Sequence, residues 1–367
     1  MNILIFIGVL ALLIFVHELG HFLAAKFTGM KVEEFSIGFK PAIFQKKIGE
    51  TNYVLGLIPI GGYVKILGEN PDEDGEKELS EKDKKRTFSA QPKWAQILVL
   101  SMGVIFNFLF AWILISTSFI MGTKVQDRNY PEKYVQKKAV SILMVEKDFP
   151  AEKVGLKSGF QVEKIVSEKD EISAQKADAL RSFLKEHPKN VKIYYREKDG
   201  GEIKNTEYFD LKKDGDKFLA GVYLVDTAEV AMPIHKAFYY GLGSAWDKLK
   251  AITNGLLSFF GQIFTAKADL DEVSGPVGIV KYIGEAAEFG FVALILFTAM
   301  LSLNLAVINF LPFPALDGGR ALFVLIEAIT KRKIPEKIFN WTNGLAFIFL
   351  IGLMLVITFN DIWKLFK

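Results

Sequence analysis

Apolar positions along the chain follow three patterns. Four blocks are apolar on every face, at residues 3–27, 95–121, 291–311 and 341–359. Each reaches about the 20 residues of helix that cross a hydrocarbon core. Between the first two blocks the pattern becomes alternating and glycine-punctuated, over Val32–Phe39, Tyr53–Ile60 and Tyr63–Leu67, which predicts short strands. They are too apolar for an ordinary loop. A β-rich segment dipping into the membrane and shielded by the helices fits them, because lipid does not tolerate an open sheet edge. Residues 69–87 mix acidic and basic side chains and are expected to be a solvated loop.

Between the second and third blocks, residues 125–226 have the length of one compact soluble domain, about 100 residues. Strands are expected at Val140–Val145, Lys192–Tyr195 and Phe218–Leu224, and a helix over Lys176–Glu186. From Pro233 to about Phe264, apolar residues recur every three or four positions, as at Phe238, Leu242, Ala245 and Leu249. Lys236, Asp247, Lys248 and Lys250 occupy the other face. This helix either lies at the membrane surface or packs on the soluble domain.

Composition narrows the reading. Half of the 367 residues are hydrophobic and 24% charged, so soluble parts alternate with membrane parts. A net charge of +3 and the lack of a basic stripe argue against nucleic acid as a partner. Cysteine is absent, so a metal would have to be held by the four histidines and the carboxylates. The first apolar block has no basic residue ahead of it and carries His17, Glu18 and His21, so it reads as a retained span rather than a signal peptide. Residues 28–93 hold eleven lysines and arginines, and 312–340 hold Arg320, Lys331, Arg332, Lys333 and Lys337. Both should be cytoplasmic, which puts the N-terminus, the soluble domain and the C-terminus on the opposite side.

His17-Glu18-Leu19-Gly20-His21 is an H-E-x-x-H motif on an apolar helix. Residues four apart share a helical face, so both imidazoles can meet one zinc ion while Glu18 serves as base toward the attacking water. Ionisable groups at membrane depth are costly and are functional by default. A catalytic zinc takes three protein ligands, and Asp317 is the best third candidate. Pro312 and Pro314 stop the third apolar helix, Gly318 and Gly319 permit a tight turn, and the carboxylate is expected on an unwound segment. With a rise of about 1.5 Å per residue, His17 lies roughly 21 Å into the membrane, at the end Asp317 approaches. His187 and His235 read as surface residues.

With these residues in view, the sequence resembles the site-2 protease family of intramembrane metalloproteases, in its bacterial RseP-like branch. The resemblance spans essentially the whole chain, through HELGH, Gly61-Gly62-Tyr63-Val64-Lys65, Ser274–Ile279, Ser302–Leu305 and the Leu316-Asp317-Gly318-Gly319 segment. It implies His17, His21 and Asp317 as zinc ligands, Glu18 as base, and Asn304 and Asn309 in holding substrate or its oxyanion. The sheet edge, including Gly61, Gly62 and Tyr63, would pair with an extended substrate. Phe149–Gly159 resembles part of a single PDZ domain, a peptide binder or a size filter. Phe160 stands where relatives usually have aspartate, and in Gly103-Val104-Ile105-Phe106-Asn107 the proline that commonly follows the glycine is replaced, implying a small packing adjustment.

The expected fold class is therefore a polytopic α-helical membrane protein with four transmembrane helices, a membrane-associated β-rich segment and one extracytoplasmic α+β PDZ-like domain. The segments run as a first span (1–31), β-rich segment and loop (32–93), second span (94–122), PDZ-like domain (123–230), surface helix and SGPVGI segment (231–290), third span (291–320), then loop and fourth span (321–367). Single-span membrane proteins, such as anti-sigma factors or remnant signal peptides, are the implied substrates. The lipid bilayer of a bacterial inner membrane is the implied setting. A catalytically silent scaffold and a zinc transporter are the rival readings. The first leaves Glu18 without a purpose, and the second lacks the internal repeats that a translocation path usually brings.

Overall fold

A computed structural model describes residues 1–69, 79–126, 130–168, 170–197, 200–214, 217–265 and 274–365. The chain divides into two compact units, Met1–Ser116 with Phe238–Lys367, and Thr117–Ala237. Among the described residues, four helices are long and apolar enough to cross a membrane. They lie in α1 (Asn2–Phe27), α2 (Lys93–Met121), α6 (Phe291–Phe310) and α8 (Glu336–Leu365). The last runs beyond the expected 341–359 at both ends, over 336–340 and 360–365, where polar residues are interleaved with Ile338, Phe339, Ile362 and Trp363.

In the first unit, α1 packs against a bent β-structure made of β1 (Val32–Ile48) and β2 (Thr51–Ile66). Each strand doubles over, so the register gives four antiparallel segments. Glu34 to Ile37 pair both with Gly62 to Lys65 and with Asn52 to Leu55, and Ala42 to Ile48 pair with Thr51 to Gly56. Residues 61–66 and 42–48 are therefore the outer edges, with 32–37 and 51–58 between them. Three strands were expected. The fourth, 42–48, was hidden by Lys40-Pro41 and Gln45-Lys46-Lys47, which look like loop. The first bend turns on Gly38, whose φ of +83° suits a residue without a Cβ.

A polar clamp holds this structure to α1. Glu50, in the turn between β1 and β2, accepts from Lys26 at 2.7 Å and from both terminal nitrogens of Arg86 at 2.7 and 2.8 Å. Behind it lies a core of Ala24, Ala25, Met30, Val32, Ile66, Phe88, Val99 and Leu100. The segment 79–87 is not wholly loop, since Glu81–Lys84 forms one helical turn capped by Ser80. Residues 70–78 of that expected loop lie outside the described residues.

Three further helices complete this unit: α4 (Ile234–Phe264), α5 (Pro276–Glu288) and α7 (Asp317–Thr330). The region after 320 was expected as loop, but α7 fills much of it. Asp317 is the first residue of that helix, so the unwound stretch is 311–316 and ends just before it. Ala315, at φ +70°, is held there by its N–H donating to Asn343 Oδ1 of α8 at 2.9 Å. The SGPVGI segment forms the start of α5, where buried Asp361 of α8 accepts from the Gly278 N–H at 2.8 Å. An added Cβ on Gly275 would stand 3.0 Å from that carboxylate.

The second unit is built on an antiparallel sheet with strand order β3-β11-β4-β5-β7-β8, and β6 alongside β5. The strands are β3 (Thr123–Gln126), β4 (Val135–Val145), β5 (Gln161–Val166), β6 (Glu171–Ser173), β7 (Lys192–Arg196), β8 (Lys204–Asn205) and β11 (Val222–Val230), with β9 (Lys212–Asp214) and β10 (Lys217–Leu219) forming a separate hairpin. Helix α3 (Ala177–Glu186) buries Leu180, Phe183 and Leu184 in a core shared with Ile142, Val162, Ile165 and Ile193. The single strand expected over Phe218–Leu224 is broken by Gly221 at φ +77°, leaving β10 and β11.

Candidate metal centre

His17 and His21 meet because one helical turn separates them, and α2 crosses α1 closely at that point. Gly20 makes the crossing possible, since a Cβ there would lie 2.4 Å from the Met102 carbonyl oxygen. Gly103 of α2 faces the two imidazoles, and its Cβ would fall 2.3 Å from His21 Nε2 and 2.7 Å from His17 Cε1. Asp317 arrives from the far end of the sequence because α7 begins tight against the 311–316 turn. Cβ atoms on Gly318 and Gly319 would collide with the carbonyl oxygens of Phe310 and Phe313, at 2.3 and 2.1 Å.

The three donor atoms form a triangle. His17 Nε2 and His21 Nε2 are 3.3 Å apart, and Asp317 Oδ2 lies 3.1 and 3.4 Å from them. Donors about 2.0–2.1 Å from a tetrahedral ion stand roughly 3.3–3.4 Å from each other, so the spacing fits zinc. The chemistry of the donors fits as well. Asp317 Oδ2 is fully buried and makes no hydrogen bond, the condition of an anionic oxygen aimed at a cation. His21 Nδ1 lies 2.8 Å from the Val99 carbonyl oxygen, which fixes the proton on Nδ1 and leaves the Nε2 lone pair for a metal.

These groups open onto a cavity of about 710 Å³ whose wall includes Glu18, Gly62, Tyr63, Glu34, Glu69 and Arg320. Glu18 sits against the outer strand edge, where a Cβ on Gly62 would be 3.2 Å from its Cγ. Tyr63 donates to Glu34, and Lys40 pairs with the same carboxylate at 3.2 Å. Burial pushes the Glu34 carboxyl up, but these partners outweigh it and hold it below its ordinary range. Arg320 and Glu69 form a second pair at 2.8 Å. A charged, roomy chamber beside buried histidines can admit water and a polar backbone.

The remaining expected residues divide. Asn309 Nδ2 is 3.4 Å from His17 Nε2, directly at the donor triangle. Asn304 instead donates to Met300 O within its own helix and does not line the cavity. Five residues at about 100° each put the two asparagines roughly 140° apart around α6, so one helix cannot aim both at the site. Gly61 packs under the Phe39 ring, while Gly62 and Tyr63 line the chamber. His187 bonds to Asp170 and stacks on Phe183. Asn107 is retained in the segment where the missing proline implied a small packing adjustment, and its amide is 3.2 Å from His17 Nδ1. Its position four residues after Gly103, on an apolar helix, was the available signal.

Comparison with known proteins agrees with this geometry. The chain matches peptidase family M50 over residues 5–353. It is 34% identical over 381 residues, the full length of both chains, to a putative zinc metalloprotease of Fusobacterium nucleatum. It is 32% identical to another of Clostridium perfringens, covering 95% of each chain. The regulator of sigma-W protease RasP of Bacillus subtilis is 29% identical over 438 residues, covering 100% of this chain and 99% of its own. An apolar helical scaffold carrying a His-His-Asp donor set, matched along nearly its whole length, leads to one conclusion: the chain belongs to peptidase family M50, the site-2 protease family, and is a metalloprotease.

Proposed function

We propose that this protein is a zinc-dependent intramembrane endopeptidase that hydrolyses peptide bonds within the transmembrane segments of single-span membrane proteins. The observation that carries the reading is the tetrahedrally spaced triangle of His17, His21 and Asp317, in which the two histidines, with Glu18 between them, lie on a helix apolar enough to span a bilayer. Those three residues would hold the zinc ion. When bound, zinc polarises the scissile carbonyl and acidifies water at the site.

The protein's own groups do the rest. Glu18 takes a proton from the attacking water and passes it to the leaving amine. Asn309 donates an N–H toward the oxygen that gains charge in the transition state. Asn304, by contrast, is turned back onto Met300 O of its own helix, so a substrate-holding role for it requires that bond to open. The outer strand edge at Gly62 to Ile66 borders the chamber, and an extended substrate adds to it as a further strand. Extension matters because a helical substrate shields its peptide bonds in its own hydrogen bonds. Glu34, Tyr63 and Arg320 give the chamber a polar wall that water can occupy.

By resemblance the chain is of the RseP-like branch with one PDZ-like domain, residues 123–230, which selects substrates by peptide binding or by size. It lies extracytoplasmically with both termini, in a bacterial inner membrane, with the site toward the cytoplasm. Single-span anti-sigma factors or remnant signal peptides are the substrate class. The sigma-W regulator named among its relatives supports the first of these.

The test is cleavage of a trimmed single-span substrate by purified wild type and by Glu18→Gln, with zinc measured in both. Cutting by wild type alone at equal zinc supports protease and base together. No cutting of several trimmed substrates by zinc-loaded wild type overturns the reading.

A further inference from the structure

Helix α2 presents a stripe of residues four apart, Val99, Gly103 and Asn107, to the two histidines, which are themselves four apart on α1. Val99 offers its carbonyl to His21 Nδ1 at 2.8 Å. Gly103 lets the helices close. Asn107 completes the stripe at His17, with its side-chain nitrogen 3.2 Å from Nδ1 and its own surface fully buried. Its Oδ1 is buried without a partner. The Ser302 hydroxyl donates to the Asn107 backbone carbonyl at 2.8 Å, which fixes this turn of α2 from the α6 side.

An amide nitrogen facing Nδ1 would require the ring proton to sit on Nε2, the atom that points at Asp317. A ring in that state cannot ligate a metal through Nε2. Half a rotation of the side-chain amide exchanges its two ends without moving other atoms. It puts the partnerless Oδ1 against Nδ1–H, and both histidines then have the same arrangement, a carbonyl oxygen behind and a free lone pair in front.

We infer that Asn107 is a positioning residue of the metal centre, whose side-chain carbonyl holds His17 in the Nδ1–H tautomer and aims Nε2 at the metal. The inference rests on the metal-centre reading above. It assigns to α2 the second half of a task that Val99 performs for His21, and it gives the Gly103–Asn107 spacing a chemical reason.

The experiment is zinc affinity by chelator competition on the purified full chain, for wild type, Asn107→Leu and Asn107→Asp, with Asp317→Ala as control. Removing the acceptor in Asn107→Leu should weaken zinc about 10–100-fold, and Asn107→Asp, which keeps an acceptor oxygen, should stay within about threefold of wild type. A purely packing role gives a different order, because a buried charge in place of the amide would do at least as much harm as leucine. Wild-type affinity in Asn107→Leu, or equal loss in Asn107→Asp, overturns the assignment. Should Asn107→Leu misfold, Asn107→Ala, which only deletes atoms, takes its place with the same readings. Equal zinc binding by wild type and Asp317→Ala would sink the metal-centre reading itself, an outcome separable from any ranking among the Asn107 variants.

Discussion

Gly103→Ala should remove the metal while leaving the fold intact. The new Cβ would stand 2.3 Å from His21 Nε2 and 2.7 Å from His17 Cε1, against the 3.0 Å that real Cβ contacts respect, so the His21 ring must retreat by at least 0.7 Å. Metal sites tolerate displacements of about 0.2 Å in ligand distance, so a shift of this size takes one donor out of range. Both struck atoms are the outer ends of side chains rather than backbone, and the rings can swing into the 710 Å³ chamber. Alanine also favours helix over glycine by about 1 kcal/mol, which offsets much of the strain. The expected result is a zinc affinity at least about 100-fold weaker, from the loss of a direct ligand, with thermal stability of the metal-free protein within a few degrees of wild type. Chelator competition and thermal unfolding in detergent measure the two. Gly255→Ala, with nothing within 4 Å of its added Cβ, is the matched control and should leave zinc binding unchanged. Wild-type zinc affinity in Gly103→Ala would falsify the claim that α2 closes on the donor atoms.

Three other outcomes follow from the same structure. Asp317→Ala should abolish stoichiometric zinc, because two histidines alone leave a catalytic ion short of its third protein ligand; full occupancy by metal analysis would refute the donor set. Gly62→Val should abolish cleavage with zinc retained, since a Cβ at Gly62 already lies 2.8 Å from the Ser36 carbonyl and 3.2 Å from Glu18 Cγ; unchanged turnover would show that the strand edge can yield. Glu50 is held at about 2, from an ordinary 4.5, by Arg86 and then Lys26, so its stabilisation is fully present above about pH 4.5 and fades as pH falls toward about 2. With the side chain about a third exposed, screening reduces the effect to about 1 kcal/mol at neutral pH. Glu50→Gln should lower the melting temperature at neutral pH and lose that difference near pH 2, and a constant difference at both would contradict the clamp.

What the sequence disclosed and what it concealed differ by the range of the interaction. His17, Glu18 and His21 were legible because a helical turn is local, and the four long apolar helices because bilayer thickness sets one length. Asp317 could be singled out from its prolines and glycines, but not its place as the first residue of α7. Asn107 carried only the signal of its spacing from Gly103, because its approach to His17 depends on the angle at which α2 meets α1, which Gly20 and Gly103 set by contact rather than by pattern. Asn304 and Asn309 look equivalent in the sequence, and only the helix phase separates them. The strand 42–48 was missed because it is an outer edge and its residues are exposed, so polar side chains there imitate a loop.

The last helix described, α8, bears on the proposed centre without supplying any of its groups. All four residues of the proposed centre have been synthesised once residue 317 is made. The turn before Asp317 donates its Ala315 N–H to Asn343, and the first turn of α5 donates its Gly278 N–H to Asp361, both acceptors on α8. A chain without the 30-residue α8 would keep His17, Glu18, His21 and Asp317 but lack two of the bonds that hold the surrounding turns in place. Local order around the proposed centre therefore depends on a helix that supplies none of its four residues.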